Sequence, residues 1–279
     1  MFSKKVLVSI SLGWAVVLGL SGCSAAASNV PAGSVADQSA SSGSSSDQSS
    51  SAAAPTKSAA STVAALPFNA GGYLVGNVMP TVGAGEAGVV SVVSTAALKR
   101  DDAVLGGGTL PFAFRNNTAA TISHVDFTGT ATVGGKVVAT GASQGTVPAQ
   151  VKPGEMGFSY LYLEDVKSLP ESGAQYDFRA STMPADDAPF NTAPLKVTQA
   201  DNNGSAIIGS AVNSTGKQLS GPYAVDVFCF TDGALASAAT MDFATETGDV
   251  APDGTVSFSH DLYDSPCDSF VVGVSGYFA

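Results

Sequence analysis

The sequence predicts an all-β protein built from two similar units, and three observations carry that expectation. Charged residues make up only 13% of the 279-residue chain, and Glu, Lys, Gln and Arg are too sparse after residue 66 to write a long amphipathic helix. The same stretch is rich in short β-branched and aromatic runs broken by Gly, Pro and Asn, which punctuate strands and tight turns. Its latter part also presents one order of motifs twice.

At the start, Lys4 and Lys5 precede an apolar run from Val6 to Leu20, followed by Ser21, Gly22 and Cys23. A charged region, an apolar region and small residues at a cut site read as a secretory signal peptide over residues 1–22. The apolar run is about 15 residues, short of the roughly 20 that span a bilayer. Leu20-Ser21-Gly22-Cys23 resembles the lipobox of bacterial lipoproteins. The resemblance implies that Cys23 is diacylated on sulfur, becomes the first residue of the mature chain and holds it to a membrane. The location expected is therefore extracytoplasmic, lipid-anchored to the bacterial cell membrane.

From Cys23 to residue 66 the chain is dominated by Ser and Ala, with almost no large apolar side chain. Such a segment buries too little surface to offset its ordering entropy and is expected to be a disordered tether. Folding is expected to open near Pro67. A short strand over 73–78 is stopped by Pro80, a second covers 89–95, and 96–102 is expected to make one helical turn. Residues 109–115 read as a strand with Leu110, Phe112 and Phe114 on one face.

The repetition comes next. Phe114-Arg115-Asn116-Asn117-Thr118 is followed by a strand over 122–133, a Gly134-Gly135 turn, Lys152-Pro153-Gly154, Phe158-Ser159 and a closing strand at 176–180. Ala211-Val212-Asn213-Ser214-Thr215 is followed by a strand over 223–230, an Asp232-Gly233 turn, Pro252-Asp253-Gly254, Phe258-Ser259 and a closing strand at 270–274. Matching Asn117 to Asn213 aligns the two and indicates an internal duplication. About seven short strands per copy, with turns every 8 to 12 residues, fit an immunoglobulin-like sandwich. The domains expected are residues 67–198 and 199–279. In the second, Tyr223, Val225, Val227 and Cys229 share one face of a strand and Phe228 and Phe230 the other, so both faces should be covered.

Phe228-Cys229-Phe230-Thr231-Asp232-Gly233 is similar to the Phe-x-Leu-Tyr-Asp signature of FxLYD-type domains, Ig-like modules of bacterial envelope lipoproteins. Phe228 and Asp232 agree with it, while Phe230 stands for Leu and Thr231 for Tyr. The resemblance implies the fold and the location, and no particular activity.

The net charge of −11 argues against nucleic acid, which needs a basic surface, and against a polybasic hold on anionic lipid. Of the three cysteines, Cys23 is the lipid acceptor. Cys229 and Cys267 are expected to form a disulfide, because an exported chain meets oxidants and their strands can lie close in a sandwich. Closing a loop of about 39 residues should contribute roughly 4 kcal/mol. In the first copy Ala131 takes the place of Cys229.

Motifs that could carry chemistry are few. Gly83-Ala84-Gly85-Glu86-Ala87-Gly88 fits G-x-G-x-x-G but has a proline before it and a β-branched run after it, so it reads as a turn. Gly141-Ala142-Ser143-Gln144-Gly145 fits G-x-S-x-G, with His260-Asp261 downstream, yet lacks the strand–turn–helix of a nucleophile elbow. The two histidines, His124 and His260, are too few for an imidazole-based metal site, and His260 is expected to be a partly exposed strand residue. Asp101-Asp102 and Asp186-Asp187 read as solvated loops, with weak calcium binding as the alternative. No catalytic residue, cofactor or resident metal is therefore expected. The function expected is a non-catalytic binding or scaffold module of the cell envelope with a protein or cell-wall ligand. The alternatives are an accessory or substrate-capture component of a membrane transporter, or a surface hydrolase using Ser143.

Overall fold

The computed structural model describes residues 63–101, 106–238, 241–263 and 266–279, all within one compact unit. The expected signal peptide, Cys23, nearly all of the expected tether, and Asp102 lie outside the described residues. Those described form strands and turns only. After β1 (Leu74–Gly76), the first sheet takes β2 (Val90–Thr95), β3 (Lys99–Arg100), β4 (Gly108–Asn116), β5 (Ile122–Val133), β6 (Lys136–Val147), β7 (Gln150–Val151), β8 (Met156–Leu163) and β9 (Gln175–Pro184). The second takes β10 (Thr192–Asn202), β11 (Ala206–Val212), β12 (Leu219–Thr231), β13 (Ala234–Ala238), β14 (Asp242–Phe243), β15 (Thr255–Asp261) and β16 (Ser269–Phe278). β10 crosses the 198/199 division expected from the sequence and belongs wholly to the second sheet, while β1 reaches across to pair with β16.

All pairings are antiparallel, in the order β2-β4-β8-β6-β5-β9 for the first sheet and β13-β12-β16-β10-β11-β15 for the second. Each sheet curls until its two halves face each other across a core. In the first, Leu110, Phe112 and Phe114 of β4 pack against Val125 and Phe127 of β5, with Phe112 and Phe127 edge-on at 4.7 Å between centroids. In the second, Ile207 and Ala211 of β11 and Val256 and Phe258 of β15 face Val225, Val227 and Cys229 of β12. Cys229 and Cys267 are joined by a disulfide inside that core, with their Cα atoms 5.0 Å apart.

The two sheets are copies of one plan, and the crossing between halves shows it best. Asn116, fully buried, ends β4; its Nδ2 donates to Ala120 O and Val151 O, both at 2.8 Å, while its Oδ1 accepts from the Thr118 backbone N–H and hydroxyl at 3.0 and 2.6 Å. Asn213, fully buried, ends the crossing from β11; its Nδ2 donates to Lys217 O at 2.7 Å and Val250 O at 3.1 Å, and its Oδ1 accepts from Thr215 N–H and hydroxyl at 3.1 and 2.7 Å. Each backbone then clasps a proline turn. Gly154 N–H donates to Asn116 O at 2.7 Å, and Asp253 N–H to Asn213 O at 2.8 Å. Both turns put proline second and a left-handed residue third, Gly154 at φ +79° and Asp253 at φ +60°.

The equivalence therefore runs from Asn116, not Asn117, to Asn213. The sequence offers two adjacent asparagines, both buried in the structure, and only the hydrogen-bond pattern selects the first. Asn117 does a different job: its Nδ2 donates to Ala84 O at 2.8 Å and Glu86 O at 2.9 Å, pinning the glycine-rich loop as a turn. The helical turn expected over 96–102 is not formed by its described residues. Lys99 and Arg100 pair with β4 instead, and the Arg100 guanidinium donates to Val166 O and Leu169 O, each at 2.6 Å. Folding also begins slightly before Pro67, since Leu66 N–H donates to Gly154 O at 3.0 Å.

The outer faces of the two sheets meet over a further apolar core. Phe158 of β8 lies 5.2 Å from Phe228 and 6.0 Å from Phe230 of β12, centroid to centroid, with Leu74, Val147, Leu235 and Val271 around them. This is why β12 is buried on both faces, as its sequence led one to expect. β16 opposes β6 so closely that a Cβ at Gly273 would stand 2.4 Å from Val147 Cγ2, which leaves room for glycine only.

Asn213→Ala is expected to cost about 2–4 kcal/mol, because it removes the donor from the Lys217 carbonyl and the buried Val250 carbonyl. Asn213→Asp, which puts a carboxylate against the same carbonyls, should cost more, and Ser214→Ala, at an exposed position, less than about 0.5 kcal/mol. Guanidinium unfolding followed by tryptophan-independent far-UV dichroism checks the order. Because the sheets share a core, Asn116→Ala should lower the same single transition.

Candidate functional site

β8 alternates strictly. Leu161 and Leu163 point into the first sheet, whereas Met156 and Phe158 point to the second sheet. Farther along that same outer face, Tyr160 and Tyr162 line an open cleft of about 390 Å3 with Lys99, Asp101, Thr109, Gln144 and Ala238. Ala238 closes β13, so the cleft sits where the two sheets part after their shared core. Aligned antiparallel strands from both sheets hold its walls, which makes it a preformed surface.

The Tyr162 hydroxyl donates to Asp101 Oδ2 at 3.2 Å, and this hydrogen bond, ahead of burial and of the charges on Asp101 and Glu164, holds the phenol above its usual range. Tyr160 is also raised, first by burial and then by the charge of Asp226. Both phenols are thus neutral at physiological pH, able to donate and accept hydrogen bonds beside flat aromatic faces. Asp226 lies on β12 on the same side as Phe228 and Phe230, buried between the sheets, and burial pushes its carboxyl up to about 7. The chemistry on offer is recognition: two aromatic rings, a lysine, a carboxylate, an amide and a hydroxyl around a small opening.

The residues singled out from the sequence are placed elsewhere and apart. Ser143 lies within β6 as β6 leaves β5 for β8, and its Oγ accepts the Phe127 N–H at 2.9 Å. Thr146 makes the matching bond, donating to Val125 O at 2.8 Å, so these hydroxyls replace ladder bonds where the strands diverge. His260 belongs to the other sheet. The partial exposure expected for it is wrong. It is 1% exposed, beside Asp242 and the Val225 carbonyl, and burial holds its imidazole below the usual range despite both. Its alternation with exposed Ser257 and Ser259 is as expected; what the pattern missed is that its own face, shared with the core residues Val256 and Phe258, is buried along its whole length.

His124 Nε2 stands 3.2 Å from Asn191 Oδ1. Of the loop carboxylates, Asp186 accepts the Ala188 N–H at 2.9 Å and also bonds Asn191, while Asp187 pairs with Lys217. Among the described residues, no group of three or more His, Cys, Asp or Glu side chains comes together that could hold a metal. Tyr160, Tyr162 and Asp226 were not singled out from the sequence. A usable signal was there: Tyr160-Leu161-Tyr162 puts two phenols on one face of a strand whose other face is leucine.

Set beside known proteins, the chain matches no family model and no curated protein. Its class rests on its own architecture, an all-β body of two curled antiparallel sheets, one of them closed by a disulfide.

A carboxyl held near 7 in the fold and near 4 when unfolded favours the folded state at low pH, and that contribution is lost as pH rises from about 4 to 7. Asp226→Asn removes the loss. The variant should match the parent near pH 4 and exceed it at pH 8 by up to roughly 4 kcal/mol. Urea unfolding of both proteins at the two pH values checks this; an equal gap at both would sink it.

Proposed function

We propose that this protein is a lipid-anchored, extracytoplasmic binding or scaffold module of the bacterial cell envelope, without catalytic activity of its own. The observation that carries the reading is the run from Lys4 to Cys23, with its charged start, apolar middle and Leu20-Ser21-Gly22-Cys23 end. The disulfide between Cys229 and Cys267 supports it independently, since such bridges persist in oxidising compartments outside the cytoplasm. A body whose two sheets share a buried core suits a presenting scaffold, because it holds its surfaces at one fixed spacing.

The finer fold reading is that each curled sheet is immunoglobulin-like and that the second is akin to FxLYD-type domains. Phe228 and Phe230, which carry that likeness, pack against Phe158. Capture of a small solute for a transporter is the second reading, and the tyrosine-lined cleft favours it. Ser143 supports hydrolysis poorly, because its hydroxyl is committed to the Phe127 N–H in mid-strand.

Cys23→Ser should move the protein from the membrane fraction to the soluble one and from the detergent phase to the aqueous phase; unchanged partition would refute the anchor. A fluorophosphonate probe should leave Ser143 unlabelled, as read by peptide mass spectrometry, and a Ser143 adduct would restore the hydrolase.

A further inference from the structure

The two copies differ at two seams: β6 pairs with β8 in the first copy while their equivalents β13 and β15 end opposite sides of the second sheet, and the other difference lies at β16. In the second, the outer edge of β16 is fully paired: β10 takes residues 274–277 and β1 takes 271–273. Carried across by the shared registers, Leu219↔Phe278 in one copy and Ile122↔Pro184 in the other, β9 is the equivalent of β16. Among the described residues β9 pairs only with β5, so its other edge carries a row of free backbone donors and acceptors.

The cause is local. The segment equivalent to the start of β10 runs through the glycine-rich loop, and Asn117 draws that loop away, with its side chain on Ala84 O and Glu86 O and its backbone on Gly88 and Val89. The second copy has Ser214 in this place, and there the strand closes the seam. Between β2 and β9 an open slot of about 680 Å3 is left. Val90, Val92, Tyr176, Phe178 and Ala180, all packed on the first core, are only partly buried along it.

We propose that this slot accepts one extended, cationic strand from a partner protein, added to the free edge of β9. A strand is what closes the same seam in the second copy, and β1 shows that the closing strand can come from outside the sheet. Apolar side chains on one face of the incoming strand would cover the exposed part of the core. The charge of the occupant follows from the lining, which holds the exposed carboxylates Glu86 and Asp177 and neither Lys nor Arg, on a chain of net charge −11. The chain's own Ser/Ala-rich stretch before residue 63 lacks the large apolar side chains this requires.

The test uses the full-length protein in detergent and a labelled decapeptide of alternating valine and lysine. Fluorescence anisotropy should report saturable one-to-one binding, and amide exchange should slow in residues 176–182 and 89–92 but not in 271–277. A peptide with proline at alternate valines, which cannot donate to the edge, should bind about tenfold more weakly or worse. Glu86→Lys with Asp177→Lys, both at exposed positions, should reverse the preference toward a glutamate version of the peptide. No saturable binding, binding that tolerates the prolines, or binding without protection of β9 would each overturn the proposal. So would a self-dimer by light scattering that protects β9 without peptide. The proposal deepens the binding-module reading but fails separately from it: peptide failure with Cys23→Ser still releasing the protein would condemn the seam and leave the anchor.

Discussion

A buried asparagine, used twice, organises this molecule. Where the chain leaves one half of a curled sheet for the other, its backbone must pass through the interior edge without a ladder partner. Asn116 and Asn213 meet that need with one side chain each, donating to the Val151 and Val250 carbonyls, on segments paired with the start of the arriving strand, and accepting from the threonine two residues on. A backbone group buried without a partner costs on the order of 1–3 kcal/mol, so a polar side chain that satisfies several at once is well placed in a core. The proline turn clasped to each asparagine then sets where β8 and β15 begin. Register in both sheets follows from this clasp.

The second constraint is the join between copies. Aromatic residues on outward faces would be an exposed patch on either sheet alone; stacked as Phe158 on Phe228 and Phe230 they become a core. The duplication thus yields one body whose sheets share a core in place of two beads on a string. Its by-products are the surfaces left over: the tyrosine cleft where the sheets diverge, and the open seam where the first copy lacks the strand that closes the second.

The sites were less legible than the fold. Ser143 and the glycine-rich run match known motifs letter by letter, yet a motif is chemistry only in its structural setting, and here one side chain replaces ladder bonds and the other segment is pinned by Asn117. The cleft was invisible because its members, from Lys99 to Ala238, are brought together by sheet packing and share no spacing. His260 reads as half-exposed in an alternating strand, and only the packing of its face of β15 into the core, beside the Val225 carbonyl and Asp242, makes it buried.

By itself the sequence determined the strand-rich class, the repeated order of turns, the inward faces of β4 and β12 and the partnership of Cys229 with Cys267. These depend on period-two alternation and on turn chemistry, which act over a few residues and are written where they operate. The tertiary structure alone decided which of two adjacent asparagines bonds across the crossing, that β10 and β1 close the second seam, and that Phe158 meets Phe228. Such outcomes turn on pairings between residues far apart in the chain, where backbone hydrogen bonds are chemically alike at every position and only the combined fit of many side chains chooses among them.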